Sequence, residues 1–153
     1  MRAIEPWVEA PLGKFVAEAN ARVTLLMTSA GQVVAQHGFT RSLDVMAAAA
    51  LGAGIVASTR QLASEIGTES LGAVAHQGAE IGVFLSPFTM PESDWIGLVV
   101  YGRETSLGLV RLFFDQLSAE LVAAAPREAR PREVLPESFE DELNQSLRAL
   151  FGR

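Results

Sequence analysis

Two histidines occur, His37 and His76, and neither has another His or a carboxylate at metal-ligand spacing. His76, directly before Gln77-Gly78, reads as a hydrogen-bonding residue at a turn or strand end. There are no cysteines, which removes a thiol nucleophile, a thiolate metal site and a disulfide framework together. Gly13-Lys14-Phe15 lacks the earlier glycine and the following Ser or Thr of a phosphate loop, so nucleotide binding by this chain does not follow from it. No Gly-x-Ser-x-Gly elbow is present to support a serine hydrolase. Arg60 is the one charge in the middle of a long apolar segment. An arginine supplied in trans can speed GTP hydrolysis ~10³-fold or more, but a surface ion pair with a carboxylate such as Glu65 explains it more simply. Arg111 reads as an apolar stem with an ion-pairing head. Glu137, Glu140, Asp141 and Glu142 read as a solvated acidic face at a helix start. With no metal, no cofactor and no catalytic residue set, the expectation is a protein that is not an enzyme and acts through its surfaces.

Composition agrees with that expectation. The 153 residues are 49% apolar, enough for a core without crosslinks. A net charge of −6 and a pI near 4.9 disfavour a nucleic-acid partner, because phosphate binding needs a concentrated basic surface. The N-terminal Met1-Arg2-Ala3-Ile4-Glu5-Pro6 lacks the apolar core of a signal peptide. The fifteen uncharged residues between Asp44 and Arg60 fall short of the roughly 20 that span a bilayer. No membrane partner is expected, and the localisation expected is cytoplasmic.

The elements that must hold such a surface can be read along the chain. Pro11 suits the first turn of a short helix carrying Leu12, Phe15, Val16 and Ala19 on one side. Val23 to Met27 and Val33 to Gln36 form a hairpin, with Gly31 supplying a positive φ. A long helix is predicted over 42–66, with Ser42 as N-cap, Asp44 at the positive end of the dipole and Gly67 as the stop. Leu71 to Gln77 and Glu80 to Leu85 read as strands joined at Gly78. A loop over 86–94 leads to the strand Trp95 to Tyr101. The run Trp95 to Leu112 then joins a buried strand, a Gly-containing turn and a capped helix start. That helix, over 105–124, sets Leu107, Val110, Phe114, Leu117 and Leu121 on one face. The order predicts an α+β fold: one mainly antiparallel five-stranded sheet with helices on both faces.

Three units follow: a domain over 1–125, a Pro-rich linker over 126–137 and an amphipathic helix over 138–153. Pro126, Pro131 and Pro136 recur every five residues, and Pro-Arg-Glu occurs at 126–128 and 131–133. At ~3.1 Å per residue such a spacer carries the tail about 30 Å from the domain. Ser138-Phe139-Glu140-Asp141 resembles a capping box. Phe139, Leu143, Leu147, Leu150 and Phe151 share one stripe of the tail helix. That stripe has two readings: capture of a partner, which a tether suits, or cover for its own domain or its dimer mate.

The long helix carries two stripes. Leu51, Ile55, Leu62 and Ile66, widened by Val45 and Val56, are expected to face the sheet. Leu43, Ala47, Ala50, Gly54, Ala57 and Gln61, spaced 4, 3, 4, 3, 4, have the spacing of a helix–helix seam built of small residues. Gly52 and Gly54 each cost about 1 kcal/mol relative to Ala in a helix interior. A close contact would offset that cost, either at an interface or inside the chain's own domain.

Several segments match a known family. They are Leu25 to Ala35 in the first hairpin, Leu62-Ala63-Ser64-Glu65-Ile66-Gly67 ending the long helix, His76-Gln77-Gly78-Ala79-Glu80 between the third and fourth strands, and Glu104-Thr105-Ser106-Leu107-Gly108-Leu109-Val110-Arg111-Leu112. In this order and spacing, over roughly 21–122, the chain resembles the roadblock (dynein light chain) superfamily, and within it the bacterial MglB group. The resemblance extends loosely to the acidic, apolar tail. It implies a roadblock (profilin-like) α/β/α sandwich with a C-terminal tail helix. It also implies a homodimer in which the long helices pack together and the third strands pair. As its partner it implies a small Ras-like GTPase of the MglA type, bound in its GTP form. Hydrolysis would be stimulated by reshaping the GTPase's own switch loops without an arginine finger, with nucleotide exchange a further activity. On this resemblance the docking positions are Ala47, Ala50, Gly54, Ala57, Ser58 and Gln61, and the tail contacts Phe139, Leu143, Leu147 and Leu150. The cellular process implied is polarity or motility. Two features depart from the family pattern: Pro6 and Pro11 interrupt a short first helix, and the segment 86–94 carries no family role. The competing function is a passive dimeric scaffold with no effect on nucleotide turnover. A small-molecule pocket against the sheet lacks convergent polar residues.

Overall fold

The computed structural model describes residues 2–3, 5–39, 41–126 and 135–151. The elements run β1 (Arg2–Ala3), α1 (Pro6–Ala19), β2 (Val23–Thr28), β3 (Val33–His37), α2 (Ser42–Ile66), β4 (Val74–Gln77), β5 (Gly82–Thr89), β6 (Asp94–Tyr101), α3 (Leu107–Ala124) and α4 (Leu135–Phe151). Five of the strands are those expected from the sequence, and the two-residue β1 adds an edge beside β3. The sheet order is β1-β3-β2-β6-β5-β4, every pairing antiparallel.

Alternation along the strands sorts the core into two layers. On one face Leu26, Phe84, Val99 and Tyr101 meet Leu12 and Phe15 of α1 and Val110, Phe114, Leu117 and Leu121 of α3. On the other, Leu25, Met27, Leu85 and Ile96 meet Val45, Ala49 and Val56 of α2. Phe114 sits at the centre of the first layer, with Phe15, Phe84 and Phe88 all meeting it edge-on at 5.4–5.9 Å. Gly97 of β6 lies under that ring, where a Cβ would overlap it. Lys14 of α1 reaches Glu120 of α3 at 2.7 Å, linking the two helices of this layer.

Local chemistry sets the element ends. Gly31 turns the β2–β3 hairpin at φ 89°, and Gly67 ends α2 at φ 77°. The Ser106 hydroxyl accepts from the Leu109 N–H and caps α3. Four details differ from the sequence-based expectation. First, α1 starts at Pro6, whose missing N–H costs nothing in a first turn, so Pro11 falls inside the helix. Second, Arg41 rather than Ser42 is the N-cap of α2, without a side-chain cap bond. Third, most of 86–94 is strand rather than loop. Pro87 pairs with Ile96 and Phe88 with Trp95, and the Met90 N–H closes a short turn onto the Ser93 carbonyl at 2.9 Å. Because β4 reaches only to the partner of Leu85, β5 is an edge strand at Pro87, where proline is tolerated. Fourth, α4 begins at Leu135, which places Pro136 in its first turn and Ser138 beyond its N-cap. Most of the expected linker, 127–134, lies outside the described residues.

Candidate partner-binding surface

α2 is 25 residues long and lies across one face of the sheet. Its buried stripe is Val45, Ala49, Gly52, Val56 and Ala63. The expectation that Leu51, Ile55, Leu62 and Ile66 face the sheet is corrected here: they are 68%, 41%, 54% and 62% exposed, and Met46 is 66% exposed. The reason is steric. The sheet presents bulky side chains, and a Cβ on Gly52 would already lie 3.1 Å from Met27 Cε and 3.4 Å from Leu98 Cδ1. With the volume supplied by the strands, the helix must approach through its small residues, and its large ones turn outward.

The stripe of small residues also faces outward. Ala47, Ala50, Gly54, Ala57, Ser58 and Gln61 are all exposed. The side chain of Leu43 lies outside the described residues. Gly54 has nothing within 4 Å of a built Cβ, so the close contact that would offset its helix cost is not made among the described residues. Gly52 has its contact; Gly54 does not. By length and composition Asp44–Ile66 is apolar enough to cross a membrane, yet only 22% of its most apolar window is buried. Such a surface calls for a partner.

Several charges of the domain are held in pairs. Arg60 donates to Asp94 of β6 at 3.4 Å, not to Glu65, which instead accepts from Gln61 at 3.0 Å. Arg22 grips Glu104 through two bonds of 2.7 and 3.0 Å. Those bonds hold the Glu104 carboxyl down at about 2. Arg111 lies over the Phe84 ring at 5.8 Å and takes no part in the described ion pairs, so the expected ion-pairing head is a cation–π contact instead.

His37 lies on β3 with Nδ1 buried, and His76 is exposed on β4 at the far edge of the sheet. Among the described residues no three His, Asp or Glu side chains converge as metal ligands.

On α4 the tail contacts Leu143, Leu147 and Leu150 are 46%, 42% and 78% exposed, and Phe151 is 79% exposed. The Phe139 side chain lies outside the described residues. The residues that sequence reasoning misplaced are the large apolar ones of α2. Their signal was present, since Ala49, Gly52, Val56 and Ala63 also share a helical face, but periodicity alone does not rank two competing stripes.

The fold recurs in known proteins. Myxococcus xanthus MglB superimposes with a TM-score of 0.69 at 30% identity, over 78% of this chain and 95% of that one. The gliding protein MglB of Thermus thermophilus gives 0.66 and 24% identity, over 78% and 88%. A roadblock/LC7 domain from Streptomyces avermitilis gives 0.62 and 19% identity, over 71% and 89%. No protein-family model and no curated protein matches the sequence.

Proposed function

The chain belongs to the MglB group of the roadblock superfamily, and from that premise we propose that it is a dimeric, non-enzymatic regulator of a small Ras-like GTPase. It binds the GTP form and speeds hydrolysis. The observation that carries this reading is the outward surface of α2, which exposes Leu51, Ile55, Leu62 and Ile66 and has two distinct textures.

The large residues Leu51, Ile55, Leu62 and Ile66 suit burial against the same helix of a second copy. At 1.5 Å per residue α2 is about 37 Å long, ample for a stable helix–helix seam. The sheet supports the same pairing, because β4 is its terminal strand and its outer edge is open to another β4. The small residues Ala47, Ala50, Gly54 and Ala57 leave a shallow ridge that the backbone of a switch loop can approach closely. Ser58 and Gln61 border it with polar groups.

Acceleration without an inserted arginine fits Arg60, whose guanidinium is committed to Asp94. Hydrolysis is instead stimulated by ordering the GTPase's own switch residues around the γ-phosphate. The exposed stripe of α4 supplies a second, tethered contact that raises its effective concentration at the partner.

The experiment is a single-turnover GTP hydrolysis assay with a Ras-like GTPase from the same genome. Complex formation only with GTP, and faster turnover on mixing, are expected. Ala57→Arg should abolish both while leaving the thermal melt unchanged, because Ala57 touches no core. Binding indifferent to the nucleotide, without a rate change, would instead identify a passive scaffold.

A further inference from the structure

The solvent side of α3 is not what a surface helix ordinarily shows. Its core side is Val110, Phe114, Leu117 and Leu121. Directly opposite run Leu109, Leu112, Gln116, Ala119 and Ala123, all exposed and none charged. Leu109 and Leu112 are 45% and 51% exposed. The charges of the helix turn aside from this stripe: Arg111 lies over the Phe84 ring, and Glu120 bonds Lys14 of α1. A helix that faced only water would place its charged residues outermost. The stripe is spaced 3, 4, 3, 4, which is the seam spacing of one helix against another.

A second stripe without a home lies on α4. Leu143, Leu147 and Leu150, spaced 4 and 3, are exposed and belong to neither core layer. A helix of 17 residues is marginal in water without packing, so α4 gains most from a surface that matches its spacing.

The ends of the two helices fix how they would meet. α3 ends at Ala124 and α4 starts at Leu135. With those ends level and the helices antiparallel, each step back along α3 matches a step forward along α4. Leu143 then falls beside Gln116, Leu147 beside Leu112 and Leu150 beside Leu109. The 3–4 alternation of one stripe thus runs in step with the 4–3 alternation of the other. Residues 125–134 need to cross only the ~8–10 Å between packed helix axes, and connections of about 2–8 residues already do so in helix bundles. A parallel arrangement would need the same residues to run back the whole of α3, about 27 Å, near the ~33 Å limit of ten extended residues.

We propose that α4 docks antiparallel along the outer stripe of α3 in its own chain, and that this contact withholds α4 from the GTPase until the partner competes for it. The docking stands on α3 and α4 alone; its regulatory consequence rests on the GTPase reading. α3 lies on the sheet face opposite α2, so the docked tail covers none of the α2 surface. One apolar stripe of α4 then serves two faces in turn, and the GTPase must bind strongly enough to displace it from α3.

The test uses the full-length chain, which has no cysteine of its own. Leu112→Cys combined with Leu147→Cys, both at exposed positions, should close an intrachain disulfide on mild oxidation, read as a faster-running monomer on a non-reducing gel. Leu112→Cys with Gln145→Cys, on the opposite face of α4, should close at least about tenfold more slowly, because its Cβ vectors point apart. Equal closure of the two pairs, or crosslinks between copies, would overturn the docking. Hydrogen exchange gives an independent reading: amides of 143–151 should exchange about tenfold faster in Leu112→Glu than in the wild type. Unaltered exchange would overturn the docking as well. Leu112→Glu should also bind the GTP-loaded GTPase several-fold tighter, since α4 no longer has to leave α3. Unchanged affinity would overturn the regulatory consequence. No GTPase binding by either chain would overturn the proposed function and that consequence with it, while crosslinking and exchange would still decide the docking.

Discussion

Arg22 and Glu104 show what a surface pair contributes when its geometry is bidentate. The Glu104 carboxyl sits at about 2 against an ordinary 4.5, chiefly because Arg22 donates to it. Unfolding frees the carboxyl, so between those two values the unfolded chain binds more protons and stability rises with pH. The contribution is complete above about 4.5 and disappears as pH falls to about 2. Denaturant unfolding of the wild type and Glu104→Gln should therefore converge across that window. A gap that stays constant with pH would show that the pair adds nothing through Glu104 ionisation. In the core, Gly97 and Phe114 form a lock of ring and bare backbone. Gly97→Ala should cost about 1–3 kcal/mol by overpacking, and Phe114→Ala about 3–5 kcal/mol by leaving a cavity. Together they should cost less than the sum, since the added methyl enters the vacated space. Additive costs in a thermal-melt cycle would mean that the ring and the glycine do not interlock.

At the scale of elements, α2 is the one whose sequence supports two orientations on the sheet. Its outward large residues are apolar surface rather than core, and a polar change there should spare the fold. Leu62→Glu is expected to sediment as a monomer while keeping the wild-type far-ultraviolet circular dichroism. A Leu62→Glu dimer would move the pairing surface elsewhere. Other elements were legible because local chemistry agreed with tertiary context. Gly31 and Gly67 ended β2 and α2 through their positive φ, and the α3 periodicity named the buried face at Val110, Phe114, Leu117 and Leu121. The start of α1 and the far half of β5 were less legible, because proline at Pro11 and Pro87 signals a break that its neighbours here tolerate.

For the molecule as a whole, the proposed function divides between the domain and the tail helix. The core closes with α3, whose last turn ends at Ala124, and no core residue lies beyond it among the described residues. Truncation after Ala125 should therefore leave a folded domain with a near-unchanged melting temperature, and on the proposed function it should weaken GTPase binding by removing the α4 contacts. A truncated chain that unfolds would make the tail part of the fold instead of a tether.

The sequence by itself determined the α+β architecture, the hairpin, the length of α2 and the family, because each is written in local spacing, turn residues and short matched segments. Only the tertiary structure decided which stripe of α2 is buried, which carboxylate holds Arg60, and that Trp7 stacks on Trp95. Those outcomes depend on how much volume the sheet side chains occupy and on which strands become neighbours, and neither quantity is encoded in the period of a single helix.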